Sequence, residues 1–251
     1  MNNKLISSAT IFFCTIMFFS IPCRLLADEG EILFHDISDK SKNYSIFKIR
    51  SDGSGLKEII RGGIYPLWSP DKKKIAYTKI TTNPQDADYT ESLRITDSLG
   101  KELFKIEGVK SPFKDKDLTK VLVCGYEWSH DGKRLAFATV VLRRLYLQTF
   151  DLQSKKIKNL YQKEVKDTDL AYLNTDIAWS FDDNEIFFAS EDGGVEVFDL
   201  DKGSITIRIP SGFPSSLSVG EDKIIFSFLK EKTTFLGSID KKGNKVDDFE
   251  L

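Results

Sequence analysis

The sequence predicts an all-β fold of about five repeated units, each of four antiparallel strands, and three observations carry that prediction. The first is a unit that recurs: Tyr65-Pro-Leu-Trp68-Ser-Pro-Asp71-Lys-Lys-Lys-Ile75-Ala-Tyr77, Tyr126-Glu-Trp128-Ser-His-Asp131-Gly-Lys-Arg-Leu135-Ala-Phe137, and Ile177-Ala-Trp179-Ser-Phe-Asp182-Asp-Asn-Glu-Ile186-Phe-Phe188. A worn copy follows at Leu217-Ser-Val-Gly-Glu-Asp222-Lys-Ile224-Ile-Phe226. Periods of this size mark arrays of similar structural units. The second is that the intervening segments are short, rich in β-branched and aromatic residues and partly alternating, as in Tyr44–Ile49, Arg134–Val141, Leu145–Phe150, Val195–Phe198 and Lys223–Phe228. The third is the even spacing of Asp-led or Gly-closed turns at Ser51–Gly55, Asp97–Gly100, Asp151–Ser154, Asp199–Gly203 and Asp240–Gly243.

Each unit divides into strands a to d. Strand a ends at the Trp-Ser pair, the Asp turn leads into an Ile-Ala-Tyr type strand b, and strands c and d flank the second turn. Alignment of Ile32-Leu-Phe34 with Ile75-Ala-Tyr77 adds an earliest unit whose Trp position falls at Leu25. The units then span 29–63, 64–110, 122–163, 174–210 and 214–251, the first lacking its strand a. Radial four-stranded sheets are the blades of a β-propeller, which protects strand edges by packing blade on blade.

The N-terminus reads as a secretory signal. Lys4 precedes an apolar run from Leu5 to Ile21, and Leu25-Leu-Ala27 offers a small residue at the cleavage position ahead of Asp28. Cleavage after Ala27 would leave a propeller domain over 28–251; an uncleaved anchor and a lipid-modified Cys23 are the alternatives. All three place the domain outside the cytoplasm. Residues 1–27 hold Lys4 and Arg24 and no acid, so the remainder carries 34 basic and 38 acidic residues, net −4. That balance argues against nucleic acid as a partner, which requires a clustered basic footprint. Cys14 and Cys23 leave with the signal, so Cys124 has no internal disulfide partner and reads as a small buried hydrophobe entering a strand.

The unit (Pro)-x-Trp-Ser-Pro-Asp-Gly-Lys-x-Ile-Ala-Phe resembles the propeller repeat of the TolB family, a WD-like repeat shared more distantly with the propellers of dipeptidyl peptidase IV-type enzymes. The resemblance covers most of residues 28–251. The unit at Tyr126–Phe137 follows the pattern nearly residue for residue, with His130 in place of Pro, whereas the other two lose the Gly to Lys72 and Asp183. The family carries an α/β domain before a propeller usually of six blades, and neither is evident here. No Gly-x-Ser-x-Gly elbow marks a hydrolase domain. TolB links envelope proteins to peptidoglycan-associated lipoprotein, so the resemblance implies an envelope role for the propeller part without identifying the chain as TolB.

Within the repeat, Trp68, Trp128 and Trp179 are expected to fill the space between neighbouring blades, and Asp71, Asp131 and Asp182 to bond turn amides. These read as fold residues. Chemistry is sparse: His35 and His130 are the only histidines, no Cys/His cluster has zinc spacing, and neither Asp86-x-Asp88-x-x-Glu91 nor Asp199-x-Asp201-x-Gly203 gives the ligand series of a calcium loop. The sequence therefore predicts no catalytic residues, no metal and no cofactor.

The expectation for function is a non-enzymatic protein-protein or cell-envelope interaction module. Because strands within a blade are antiparallel, b–c and d–a connections share one face, and that face carries the expanded segments 81–89, 108–119 and 162–174. Tyr89, Pro112, Phe113 and Tyr172 are the expected apolar anchors there, ringed by charged residues including Lys114 and Lys116. The alternative is a hydrolase-like, small-ligand or metal-binding propeller that uses its central channel; it needs convergent acids, histidines or a metal there, and inner segments such as Cys124-Gly-Tyr126 and Asp176-Ile-Ala178 offer few. The unpaired edge of the first blade is a further expectation, inviting self-association or a strand-completing partner.

Overall fold

The computed structural model describes residues 30–37, 43–82, 89–106, 122–141, 144–164, 176–190, 194–210, 213–220, 223–230, 233–240 and 245–250. They form five antiparallel sheets and, among the described residues, no helix. The first sheet has three strands, β1 (Glu31–Ile37), β2 (Tyr44–Arg50) and β3 (Lys57–Arg61), in that order. The second has β4 (Gly63–Trp68), β5 (Lys74–Thr82), β6 (Tyr89–Asp97) and β7 (Glu102–Ile106). The third contains β8 (Leu122–Trp128), β9 (Arg134–Val141), β10 (Arg144–Asp151) and β11 (Lys156–Glu164), and the fourth β12 (Ile177–Trp179), β13 (Glu185–Ser190), β14 (Gly194–Asp199) and β15 (Ser204–Pro210). The fifth is β16 (Phe213–Val219), β17 (Lys223–Lys230), β18 (Thr233–Asp240) and β19 (Lys245–Glu250). These are the blades of a β-propeller, and among the described residues the first blade has three strands.

Burial explains why the second strands read as continuous apolar runs. In β9, Leu135 and Phe137 pack with Ala76, Leu93, Ile95 and Ile106 of the second sheet, while Ala136, Ala138 and Val140 pack with Ile177, Trp179, Ile186 and Phe188 of the fourth. Successive side chains point to opposite faces of a strand, so a sheet packed on both faces needs apolar residues at every position. In β13 the same division gives Ile186 and Phe188 to the third sheet and Phe187 to the fifth, where it meets Ile224 and Phe226. The terminal sheets instead alternate. Leu33 packs toward the second sheet with Ile46, Ile60, Ile75 and Tyr77, whereas Ile32 is exposed; in β17, Ile225 is exposed between buried Ile224 and Phe226.

The core is thus a series of four seams between successive sheets. Each pair of last and penultimate strands carries one register shift, at Ile46/Phe47, Ile95/Thr96, Leu147/Gln148, Val197/Phe198 and Ser238/Ile239. A bulge of this kind increases local twist. First strands β4, β8 and β16 are shifted too, at Ile64/Leu67, Val123/Gly125 and Pro214/Ser216.

Candidate functional site

One edge of the array is made of turns that consume their own carboxylates. In the second sheet Ser69 Oγ donates to Asp71 Oδ1 at 2.6 Å, Lys73 N donates to the same oxygen at 3.1 Å, and Lys74 N donates to Ser69 Oγ at 2.9 Å. The hydrogen bond from Ser69 holds the Asp71 carboxyl below its usual range. Ser129, Asp131, Lys133 and Arg134 repeat the arrangement in the third sheet, and Ser180, Asp182, Asn184 and Glu185 in the fourth. The next residue adopts a positive φ each time: 54° at Lys72, 67° at Gly132 and 58° at Asp183. Gly suits that conformation and side chains resist it. On the same edge Asp97, Asp151 and Asp199 accept amides of their own c–d turns.

The Trp side chains of the repeat lie in the seams. Trp179 is buried, and its Nε1 donates to the Glu127 carbonyl of β8 at 3.0 Å; Trp128 Nε1 donates to the Leu67 carbonyl of β4 at 3.4 Å. In both, the acceptor is the residue before the Trp of the preceding sheet. Trp68 is half-buried, and its Nε1 is shielded from water without any acceptor. A second link crosses between the third and fourth sheets. Asp183 Oδ1 accepts His130 N at 2.8 Å and lies 2.9 Å from His130 Nδ1, its Oδ2 accepts Asp131 N at 3.1 Å, and its carbonyl accepts Arg134 at 2.9 Å. Arg134 in turn covers the Trp179 ring at 4.7 Å. The substitution that breaks the repeat consensus therefore makes an inter-sheet clamp. Sequence reasoning counted it only as a lost Gly.

Polar side chains also collect near the inner strands. Tyr126 donates its hydroxyl to the Tyr65 carbonyl, Glu91 Oε2 accepts Val123 N at 2.9 Å, and His35 Nδ1 accepts Tyr65 N at 3.3 Å. Burial pushes Glu127 up to about 8, reinforced by the nearby Asp176 charge and opposed by a hydrogen bond from Trp128 N. Asp176 is pushed up to about 6 by the same desolvation. Burial favours the neutral form of both acids, more strongly for Glu127, and a cation would have to displace the proton that Glu127 holds near neutral pH. Among the described residues no group of His, Cys, Asp and Glu is placed to hold a metal. The sequence reading judged these inner segments poor in acids and histidines and gave no role to Glu127 or Asp176. Cys124 lies partly buried against the core of the third and fourth sheets, and desolvation pushes its thiol up to about 12.

The opposite edge carries the b–c and d–a connections. Residues 83–88 join β5 to β6, 107–121 join β7 to β8, and 165–175 join β11 to β12; by contrast, residues 142–143 join β9 to β10 and 211–212 join β15 to β16. Of the six expected contact residues, Tyr89 begins β6 with its backbone opposite Thr82. Pro112, Phe113, Lys114, Lys116 and Tyr172 lie outside the described residues. Residues 38–43, between β1 and β2, are a further extended connection on this edge that the sequence reading did not count. On the turn edge, a shallow groove of about 440 Å³ runs beside Arg134, Asp151, Lys156 and Lys158.

No known protein family's sequence profile matches the chain, and no curated protein sequence does. Solved structures are similar to it: TolB from Acinetobacter baumannii superposes with a TM-score of 0.61 at 18% identity, over 88% of this chain and 52% of that one. A chain of the nidogen/laminin complex gives 0.60 at 11% identity, over 89% of this chain and 76% of that one. A prolyl endopeptidase gives 0.59 at 18% identity, over 88% and 33% respectively. This chain thus spans about half the length of that TolB and a third of the peptidase. What the three share with it is an arrangement of sheets, and on that ground the fold of the chain is a β-propeller similar to that of TolB.

Proposed function

We propose that the chain is an exported, non-enzymatic propeller that binds a protein or another cell-envelope component through the edge bearing residues 83–88, 107–121 and 165–175. The observation that supports this reading is the asymmetry of the two edges. The turn edge is uniform and its carboxylates are engaged in the turns, while length variation gathers on the other. Irregular connections concentrated on one side of a repeat array are a common mark of a binding surface. Tyr89, Pro112, Phe113, Lys114, Lys116 and Tyr172 are the residues assigned to that contact, with apolar anchors and charged surroundings. The signal-like residues 1–27 support export; no helix of the described residues is long and apolar enough to cross a membrane.

The test is to replace the three segments by links as short as residues 142–143 and to compare proteins cross-linked to the exported chain before and after. Loss of specific partners with the fold retained is expected, and an unchanged partner set overturns the reading. A second reading, a small ligand or ion near the inner strands, draws on Glu127 and Asp176. Stoichiometric calcium or zinc uptake by calorimetry, abolished by Asp176→Asn, would favour it.

A further inference from the structure

We propose that the inner edge of the first sheet takes an extended strand from a second polypeptide, which completes that sheet as its fourth and innermost member. The inference deepens the interaction reading above and rests on its export step, the removal of residues 1–27. Among the described residues, the strand that this sheet lacks is its first. The last two strands of every sheet carry a bulge, and β2 and β3 share theirs with the last pairs of the other four. By this correspondence β1 stands where β5, β9, β13 and β17 stand, each of which has an inner neighbour.

An independent observation marks the same edge. Trp128 and Trp179 donate from Nε1 to main-chain carbonyls of β4 and β8, the inner strands of the preceding sheets. The corresponding acceptor for Trp68 would belong to the inner strand of the first sheet, and Trp68 Nε1 is buried without a partner. A shielded N–H with no acceptor is destabilising, and an incoming carbonyl would relieve it. The surroundings of the edge are aromatic: the His35 ring lies 5.0 Å from Tyr65 and 6.2 Å from Tyr44, and both tyrosines are exposed, as is Ile37.

These features define the occupant. It is an extended segment of about six residues, the length of β4, antiparallel to β1, with a backbone carbonyl facing Trp68 and uncharged apolar side chains on the side of Leu33 and Trp68. Addition of such a strand to a sheet edge is a known mode of peptide recognition. A second folded copy is a poorer fit, because inner strands pack directly on one another, β8 on β12 and β12 on β16. The chain's own candidate is also displaced. In the second, third and fourth sheets residues 69–73, 129–133 and 180–184 separate the first strand from the second. The same spacing would put this strand at residues 20–25, ahead of the cleavage after Ala27.

The test uses the exported protein labelled with ¹⁵N at its indoles, its N-terminus fixed by mass spectrometry. The probe is an unlabelled synthetic peptide of Leu122–Ser129 carrying Cys124→Ser, an inner strand of this fold. The peptide should shift the Trp68 indole N–H and slow its hydrogen exchange at least tenfold, leaving Trp128 and Trp179 unmoved. The same peptide N-methylated at alternate residues should have no effect, and Trp68→Phe should weaken binding about tenfold. Absence of a shift at millimolar peptide, or undiminished binding to Trp68→Phe, overturns the proposal. So does an exported chain that retains residues 20–25 and whose Trp68 indole already exchanges slowly, an outcome that leaves the loop-edge reading intact. Failure of the loop-exchange experiment would leave the indole measurement unaffected.

Discussion

The seam between the first and second sheets and the seam between the third and fourth are built from the same repeat and held very differently. In the later seam Trp179 is buried, its indole N–H is satisfied by Glu127, and Asp183 fastens the preceding turn through His130 and Asp131. In the earlier seam Trp68 is half-buried, its N–H has no acceptor, and Lys72 occupies the place of Asp183. The difference shows that a repeat residue has no fixed energetic value. Its worth depends on what the preceding sheet presents to it.

The largest effect should come from cutting back the two indoles. Trp179→Ala should lose about 3–5 kcal/mol in urea unfolding, the range for a buried aromatic, and Trp68→Ala about half of that. Equal losses would mean that the two seams are equivalent after all. Substituting Phe should sharpen the contrast. Trp179→Phe leaves the Glu127 carbonyl without its donor and should cost about 1–3 kcal/mol, whereas Trp68→Phe removes an unpaired donor and should stay within about 1 kcal/mol of the parent.

Glu127 adds a pH dependence to the later seam. Its folded value of about 8 lies above the ordinary 4.5, so between those limits the folded chain binds more protons than the unfolded one and stability falls as pH rises. Glu127→Gln should raise stability near pH 8 by roughly 1–3 kcal/mol and leave it little changed below pH 4.5. A parent curve that does not decline across this window would show that the carboxyl is better solvated than its position implies.

The smallest pair of effects should have opposite signs. Lys72 and Asp183 both adopt the positive φ that Gly favours. Lys72→Gly should gain about 0.5–1 kcal/mol by relieving the conformation. Asp183→Gly should lose about 1–2 kcal/mol, because two amides and His130 lose their carboxylate. Thermal melts of the two variants side by side would decide whether the clamp outweighs the strain.

Much of this architecture was legible in the sequence because the repeat writes its geometry locally. The Trp-Ser-x-Asp turns and the Ile-Ala-Tyr strands were readable from spacing, and the five sheets of the described residues follow them. What escaped was non-local. The desolvation of Glu127 and Asp176 depends on neighbouring sheets closing around them, and neither residue departs from an ordinary strand composition. Asp183 looked like a departure from the consensus because its partners, His130 and Asp131, are some fifty residues earlier in the chain. The connection residues assigned to the partner contact were found by length alone, a signal that marks a surface without saying what covers it.

The setting of Cys124 bears on how this protein would fare among oxidants. A thiol pushed up to about 12 is ionised in only about one molecule in 10⁴–10⁵ at neutral pH, and the thiolate is the form that attacks disulfides. If the chain is exported as proposed above, an accessible thiol at this position would be a hazard in a disulfide-forming compartment, open to mixed disulfides and covalent dimers. Here packing against the third and fourth sheets keeps the sulfur chemically quiet, so that the native fold itself serves as the protecting group.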